Sequence, residues 1–276
     1  MHGIGNDYIY VDCFSRGLTL DNPSSLSIAW SNRNFRIGAD GLILIMASKI
    51  ADFKMQMFNA DGSEGKMCGN GIRCVGKYVY DKKLSNKENI TIETLAGIKT
   101  LDLYIEHGVV KTVRVDMGEP LLDTEKIPVN FHKHKVINET LLPEILNSPA
   151  TCVSMGNPHV VFFVKRMTDK IVQNIGRRIH RHPIFPEKTN VEMIKVLNRK
   201  EIQMRVWERG SGETLACGTG ACAAMVAARL NDLVDDTVTV HLLGGDLKIH
   251  WAPDNHVYMT GPAEFSFEGS IGHTMG

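Results

Sequence analysis

Two short runs in this chain have residue types and spacing that could do chemistry: Cys68-Gly69-Asn70-Gly71 and Cys217-Gly218-Thr219-Gly220. Each is a Cys-Gly-x-Gly that opens a helix-forming stretch, over 71–82 in one case and 220–230 in the other. A cysteine at a helix N-terminus sits in the positive end of the helix dipole, which draws its pKa from about 8.5 into the 3.5–7.5 range. The free N–H groups of the first turn also bind anions. Gly69 and Gly218 carry no Cβ, so a ligand can approach the backbone closely. One such unit offers a thiol beside a carboxylate cradle, and two offer a facing pair of acid–base groups. A facing pair can invert a stereocentre, one group removing a proton from one face while the other returns a proton to the opposite face. Thiols suit the task because their pKa can be set near the working pH. The helix N–H groups would stabilise the negative charge that builds as a carbanion forms. The scheme needs no external electron sink and the chain shows no obvious lysine motif for pyridoxal phosphate, so no cofactor is expected.

The elements that position these runs are themselves repeated. MQMFNADGSEGKMCGNG over 55–71 returns as MRVWERGSGETLACGTG over 204–220, at an offset of 149 residues. Gly5-Asn6-Asp7-Tyr8 is matched by Gly156-Asn157-Pro158-His159, and Gly41-Leu42-Ile43 by Asn190-Val191-Glu192. Nearly constant offsets over separated blocks make each half one structural unit. Short β-rich runs predict strands over 8–11, 42–46, 53–58, 90–94 and 109–116, with counterparts over 159–164, 192–196, 202–207, 237–242 and 256–259. One helix per half follows the cysteine. Many strands with few helices predict an α+β fold. Gly118-Glu119-Pro120 marks a boundary between lobes over 1–119 and 120–262, and Gly261-Pro262 echoes it.

Composition narrows the function classes. With 276 residues and 43% hydrophobic content, the chain can bury a real core. Its 31 Lys+Arg balance 31 Asp+Glu, so it lacks the field that a nucleic-acid or acidic-membrane binder would use. No apolar run reaches the length of a membrane span and no signal peptide is visible, so a cytoplasmic protein is expected. Six cysteines (13, 68, 74, 152, 217 and 222) are too sparse for a stapled secreted scaffold. Three other readings of the thiols stay open on the residues alone. They could be buried helix caps. They could bind zinc through Cys68, Cys74, Cys217 and Cys222, although the spacings depart from common zinc motifs. Cys68 and Cys217 could also form a disulfide, which a reducing cytosol disfavours.

Taken together, FNADGSEGKMCGNG, GNPH and WERGSGETLACGTGACA closely resemble the diaminopimelate epimerase family, and the resemblance runs over nearly the whole chain. Members are pyridoxal-independent two-thiol epimerases that interconvert LL- and meso-diaminopimelate on the route to lysine. With the duplication, the resemblance implies two similar lobes, each a mainly antiparallel sheet or barrel around a central helix. The active site would lie in the cleft between them, and 263–276 would pack back on the first lobe. It implies Cys68 and Cys217 as the acid–base pair. Gly69, Asn70, Gly218 and Thr219 would hold the reacting amino-acid end. Asn6, Asn59, Asn157, Asn190, Glu208 and Arg209 match the other substrate-contacting positions, and His159 and Glu208 match residues that tune the cysteines. No metal is implied; the partner is a small diamino-diacid, and a homodimer is compatible.

On their own, Asn6, Asn157 and Asn190 could equally be turn residues, His159 a core histidine and Arg209 a surface charge. In context Arg209 suits a distal carboxylate, because its planar fork grips two oxygens at once. There are two departures. Gly41 stands where many members carry Gln, and the chain begins directly at MHGIGND, so a short first strand is expected. The competing functions are a proline or hydroxyproline racemase, against which Asn70 and Arg209 speak, and a thiol-based redox-sensing protein.

Overall fold

The computed structural model describes residues 1–271. In the first half, β1 (His2–Gly3) and β2 (Asn6–Asp7) form a small hairpin. It turns through Ile4 and Gly5, both at positive φ, as two-residue hairpin loops often require. There follow β3 (Ile9–Asp12), α1 (Pro23–Ser31), β4 (Gly41–Met46), β5 (Phe53–Asn59), β6 (Glu64–Gly65), α2 (Gly69–Asp81), β7 (Asn89–Thr94), β8 (Gly97–Glu106) and β9 (Val109–Asp116). A long connection leads to β10 (Ala150–Ser154). The second half runs β11 (Pro158–Phe163), a π-helical turn (Lys170–Ile175) continuing into α3 (Gly176–Ile179), and β12 (Asn190–Asn198). It ends with β13 (Glu201–Glu208), β14 (Gly212–Glu213), α4 (Gly218–Leu230), β15 (Thr237–Leu242), β16 (Gly245–Trp251) and β17 (Val257–Pro262). The architecture is α+β and sheet-dominated.

The duplication extends to strand register. In the first half β3 runs parallel to β4, β4 antiparallel to β5, β5 parallel to β7, and β7–β8–β9 form an antiparallel meander. β11, β12, β13, β15, β16 and β17 repeat that scheme. Ile43 pairs with Met57 as Glu192 pairs with Val206, and Phe53 with Ile92 as Ile202 with Val240. The half-sheets join through an antiparallel pairing of β17 with β9, which makes one continuous sheet.

The parallel pairs explain two helical segments that the sequence reading passed over. Parallel neighbours need a crossover connection; α1 supplies it between β3 and β4, and the segment over 170–179 supplies it between β11 and β12. The strands β8, β10 and β16 were also not anticipated. The predicted helices start two residues earlier than expected, at Gly69 and Gly218, immediately after the cysteines.

The sheet places the two helices. α2 buries Ile72, Val75 and Val79 on one face, an i, i+3, i+7 stripe, and each such side chain contributes roughly 1.5–3 kcal/mol when buried. α4 is buried on nearly every side, from Ala221 through Ala228, and only a small-residue helix fits at that depth. Both helices share one hydrophobic core drawn from both halves. The connection over 117–149 packs Ile127, Val136 and Leu142 against Cys152, Phe162 and Met193 as a second cluster. After β17 the chain returns to the first half. Glu264 bridges His2 through both backbone hydrogen bonds, Phe265 lies beside Tyr78, and Lys82 pairs with Glu268. Residues 272–276, the end of the segment expected to pack there, lie outside the described residues.

Candidate active site

Cys68 and Cys217 are the N-caps of α2 and α4, in almost the same backbone conformation (φ −129°, ψ 118° and φ −124°, ψ 109°). The N–H of Gly71 donates to the Cys68 sulfur at 3.3 Å, and the N–H of Gly220 donates to the Cys217 sulfur at 3.3 Å. The two helix starts adjoin. Asn70 Nδ2 donates across the halves to the carbonyl of Ala216, the residue before Cys217, at 3.3 Å. A Cβ on Gly69 would come within 2.8 Å of the Met259 side chain and one on Gly218 within 3.0 Å, so both helix starts press on β17.

Around Cys68, the sulfur donates to Asn6 Oδ1 at 3.3 Å, and Asn70 Nδ2 donates to the same oxygen at 3.3 Å. The other end of the Asn6 amide donates to Asp40 Oδ2 at 2.7 Å. Around Cys217, the sulfur lies 3.6 Å from Thr219 Oγ1, which accepts from Asn157 Nδ2 at 3.3 Å. Asn157 Oδ1 lies 2.9 Å from His159 Nε2, and His159 Nδ1 lies 2.7 Å from Glu192 Oε1. His159 and Glu192 are fully buried.

The remaining expected residues are held by local hydrogen bonds. Asn190 Oδ1 accepts from the backbone N–H of Arg209 at 2.9 Å and so holds the turn that carries this residue. The Arg209 side chain is exposed, and among the described residues it forms no ion pair with a carboxylate. Glu208 accepts from the Thr214 hydroxyl at 2.5 Å. Asn59 donates to Ser63 within its own turn at 3.0 Å. Position 41 has no room for a side chain, because a Cβ on Gly41 would sit 2.1 Å from the Phe58 carbonyl oxygen.

The electrostatics correct one expectation. The helix ends were expected to depress both thiol pKa values, yet both thiols are raised. Burial pushes Cys68 up against the opposing pull of the Gly71 and Asn70 N–H groups and the Tyr8 hydroxyl, and the Glu208 charge adds to the rise. Burial pushes Cys217 well up, helped by Glu208 and Glu192 and opposed by Thr219 and Gly220. Taking a thiolate out of water costs more here than one helix terminus returns. Glu208 itself is raised by burial. Of the other thiol readings, the cap is real, since both cysteines cap their helices, whereas the cysteines form no disulfide, Cys74 and Cys222 face the core, and among the described residues no three potential ligands gather around a metal site.

Sequence reasoning missed Asp40, Glu192 and Tyr8. The signal for Glu192 lay in the repeat, which sets a carboxylate where the first half has the apolar Ile43.

Comparison with known proteins settles the family. The model of the diaminopimelate epimerase family matches residues 1–122 and 151–266. The chain belongs to the diaminopimelate epimerase family. A diaminopimelate epimerase of Methanococcus maripaludis is 55% identical over 272 residues, covering 98% of each chain. The fold is shared more widely. A PhzF-family phenazine biosynthesis protein of Bacillus anthracis superposes with a TM-score of 0.66 at 16% identity, over 95% of this chain and 92% of the other. A probable proline racemase of Agrobacterium radiobacter gives 0.66 at 13% identity, over 91% and 81%. Outside the family match lie 267–276 and the internal stretch 123–150, which is most of the connection that packs on the second half. The diaminopimelate epimerase family signature therefore falls on the two half-sheets and on the helices that carry the cysteines.

Proposed function

We propose that this protein interconverts LL- and meso-diaminopimelate, as an isomerase of lysine biosynthesis, by two-base proton transfer between Cys68 and Cys217. The observation that carries the reading is the matched pair of thiols, each capping a helix whose first turn adjoins the other. In the forward step one sulfur, as thiolate, takes the Cα proton and becomes a thiol. The opposite thiol gives its proton to the other face of the carbanion and becomes the thiolate. The proton count is unchanged, and the reverse reaction uses the same groups with roles exchanged. Backbone N–H groups of the two helix starts, at Gly69, Asn70, Gly218 and Thr219, stabilise charge developing toward the α-carboxylate.

Burial raises both thiols, so one of them must release its proton to solvent before the first transfer, and the α-ammonium of the zwitterionic substrate favours the thiolate that results. The distal amino-carboxylate is held by Asn157, Asn190, Glu208 and Arg209, with Asn6 on the side of Cys68 and Asn59 at the rim. The exposed guanidinium of Arg209, which donates to the Glu187 carbonyl and forms no ion pair among the described residues, favours a diacid over proline. His159 and Glu208 tune the thiols. The enzyme acts in the cytoplasm on a small molecule, and its mass in solution tests the homodimer.

The deciding measurement is incubation with LL-diaminopimelate in heavy water under reducing conditions, without pyridoxal phosphate. Formation of the meso isomer with one deuteron at Cα is expected. No isomerisation and no exchange would defeat the reading.

A further inference from the structure

The duplicated asparagines Asn6 and Asn157 occupy the same place in the two halves, yet their amides point in opposite senses. Asn6 gives its NH2 group to Asp40 and turns its oxygen toward the Cys68 sulfur, which donates to it. Asn157 gives its NH2 group to Thr219 and turns its oxygen toward His159. Because Asn157 Oδ1 is an acceptor, His159 Nε2 must carry a proton and donate it. His159 Nδ1 and Glu192 Oε1 then share the next proton across 2.7 Å. Whichever of the two atoms holds that proton, Nε2–H stays in place. Without the carboxylate the ring is free to move its single proton to Nδ1, and the Asn157 amide is free to turn over.

We propose that Glu192 is a positioning residue for the reaction. Through His159 and Asn157 it holds the Thr219 oxygen occupied as an acceptor, leaving the hydroxyl hydrogen to donate to the Cys217 sulfur when that sulfur is a thiolate. The inference rests on the reading of Cys217 as an acid–base group.

Three observations support it beyond the hydrogen-bond logic. Glu192 is fully buried, and its Oε2 has no hydrogen-bond partner among the described residues, so His159 is what the carboxylate is there to address. A Cβ on Gly220 would come within 2.7 Å of Glu192 Oε1, so the first turn of α4 is shaped to admit this oxygen. The matched position in the first half is Ile43, and its side chain packs on Gly71 in the same way. A residue needed only for filling would be apolar there too. Tyr8, which stands where His159 does, addresses the Cys68 sulfur directly and leaves Asn6 to be oriented by Asp40.

The test compares Glu192→Ile, which copies the first half, with Glu192→Gln, whose amide can donate to His159 Nδ1 and so keep Nε2 protonated. For Glu192→Ile, kcat should fall about 10- to 100-fold with KM changed less than about threefold, as for loss of one hydrogen bond to a charged sulfur. Glu192→Gln should recover to within about fivefold of the parent on the same grounds. Nitrogen-15 spectra of histidine in the ligand-free protein supply a readout independent of turnover: His159 Nε2 should be protonated in the parent and in Glu192→Gln, and lose that signature in Glu192→Ile. Parental kcat in Glu192→Ile, equal damage in both variants, or an unprotonated Nε2 in the parent would each overturn the proposal. If Glu192→Ile does not fold, the parent and Glu192→Gln spectra still decide it. An inactive parent with the expected spectra would count against the epimerase reading and leave the hydrogen-bond assignment standing.

Discussion

The two halves share topology, register and the conformation of their cysteines, and differ in what surrounds each sulfur. Ile43 faces Gly71 where Glu192 faces Gly220, Tyr8 stands for His159, Asn70 for Thr219 and Arg73 for Cys222. On the proposed reading, the difference is greatest at the substrate's far end. Asn190, Glu208 and Arg209 belong to the second half, and their counterparts in the first are Gly41, Asn59 and Ala60. Inverting one carbon needs a near-symmetric pair of acid–base groups. Gripping a distal amino-carboxylate whose configuration never changes needs a one-sided site. The duplicated fold supplies the first requirement, and divergence between the copies supplies the second.

If the symmetry is catalytic, both of these thiols must matter and the other cysteines must not. Cys68→Ser and Cys217→Ser should each lower kcat by about 10²–10⁴, the usual worth of a positioned acid or base. Unchanged circular dichroism and thermal unfolding would show that the fold is kept. Cys74→Ser, nearly two turns further along α2 and facing the core, should lose stability before it loses turnover. Equal loss in the two cysteine variants sharpens the comparison; an active Cys68→Ser enzyme breaks it.

Much of this symmetry was legible in the sequence, because a repeat offset is a global signal that survives weak local propensities. The cysteines, the helices behind them and ten of the strands follow from it. What stayed hidden depends on tertiary placement. α1 is nine residues with four serines and only Leu26 and Trp30 packed on the core, and it bridges the parallel strands β3 and β4. β8 is exposed along much of its length, and its charged positions mask the alternation. The raised thiols were missed because a helix terminus can be read from sequence, whereas the burial that outweighs it cannot. Asp40 carries no motif of its own, and only its reach to Asn6 and Arg33 across the fold marks it.

A smaller effect should separate the glycines that follow the cysteines. In Gly71→Ala the new methyl meets the end of the Ile43 side chain, which can swing aside. In Gly220→Ala it meets the Glu192 carboxylate, held against His159, and lies 3.1 Å from the Cys217 sulfur. Both variants gain helix propensity of up to about 1 kcal/mol, so propensity cancels in the comparison. Turnover should fall about tenfold in Gly220→Ala, as for a strained buried polar contact, and less than about threefold in Gly71→Ala. Equal activities would mean that the two halves tolerate crowding alike.

The mildest contrast is in alkaline stability, at the position where one half carries Arg73 and the other Cys222. Both side chains are fully buried, and Arg73 donates to the carbonyls of Gly69 and Pro262. Burial raises the Cys222 thiol to about 12, against the opposing pull of the Arg73 charge. An unfolded cysteine ionises near pH 8.5. Between that pH and about 12 the unfolded chain has released a proton that the folded chain retains. The unfolded state then binds fewer protons, so stability falls as pH rises, by about 1.4 kcal/mol per pH unit for this group. Below pH 8.5 the contribution is present in full. Cys222→Ala should therefore be less stable than the parent at pH 7, by about 1 kcal/mol for the lost sulfur contacts. It should also lose stability more slowly above pH 9. Denaturant unfolding at pH 7, 9 and 10 follows the two curves. Converging curves would place the thiol as deep in the fold as its helix does, whereas parallel curves would mean that Cys222 meets water in the folded protein.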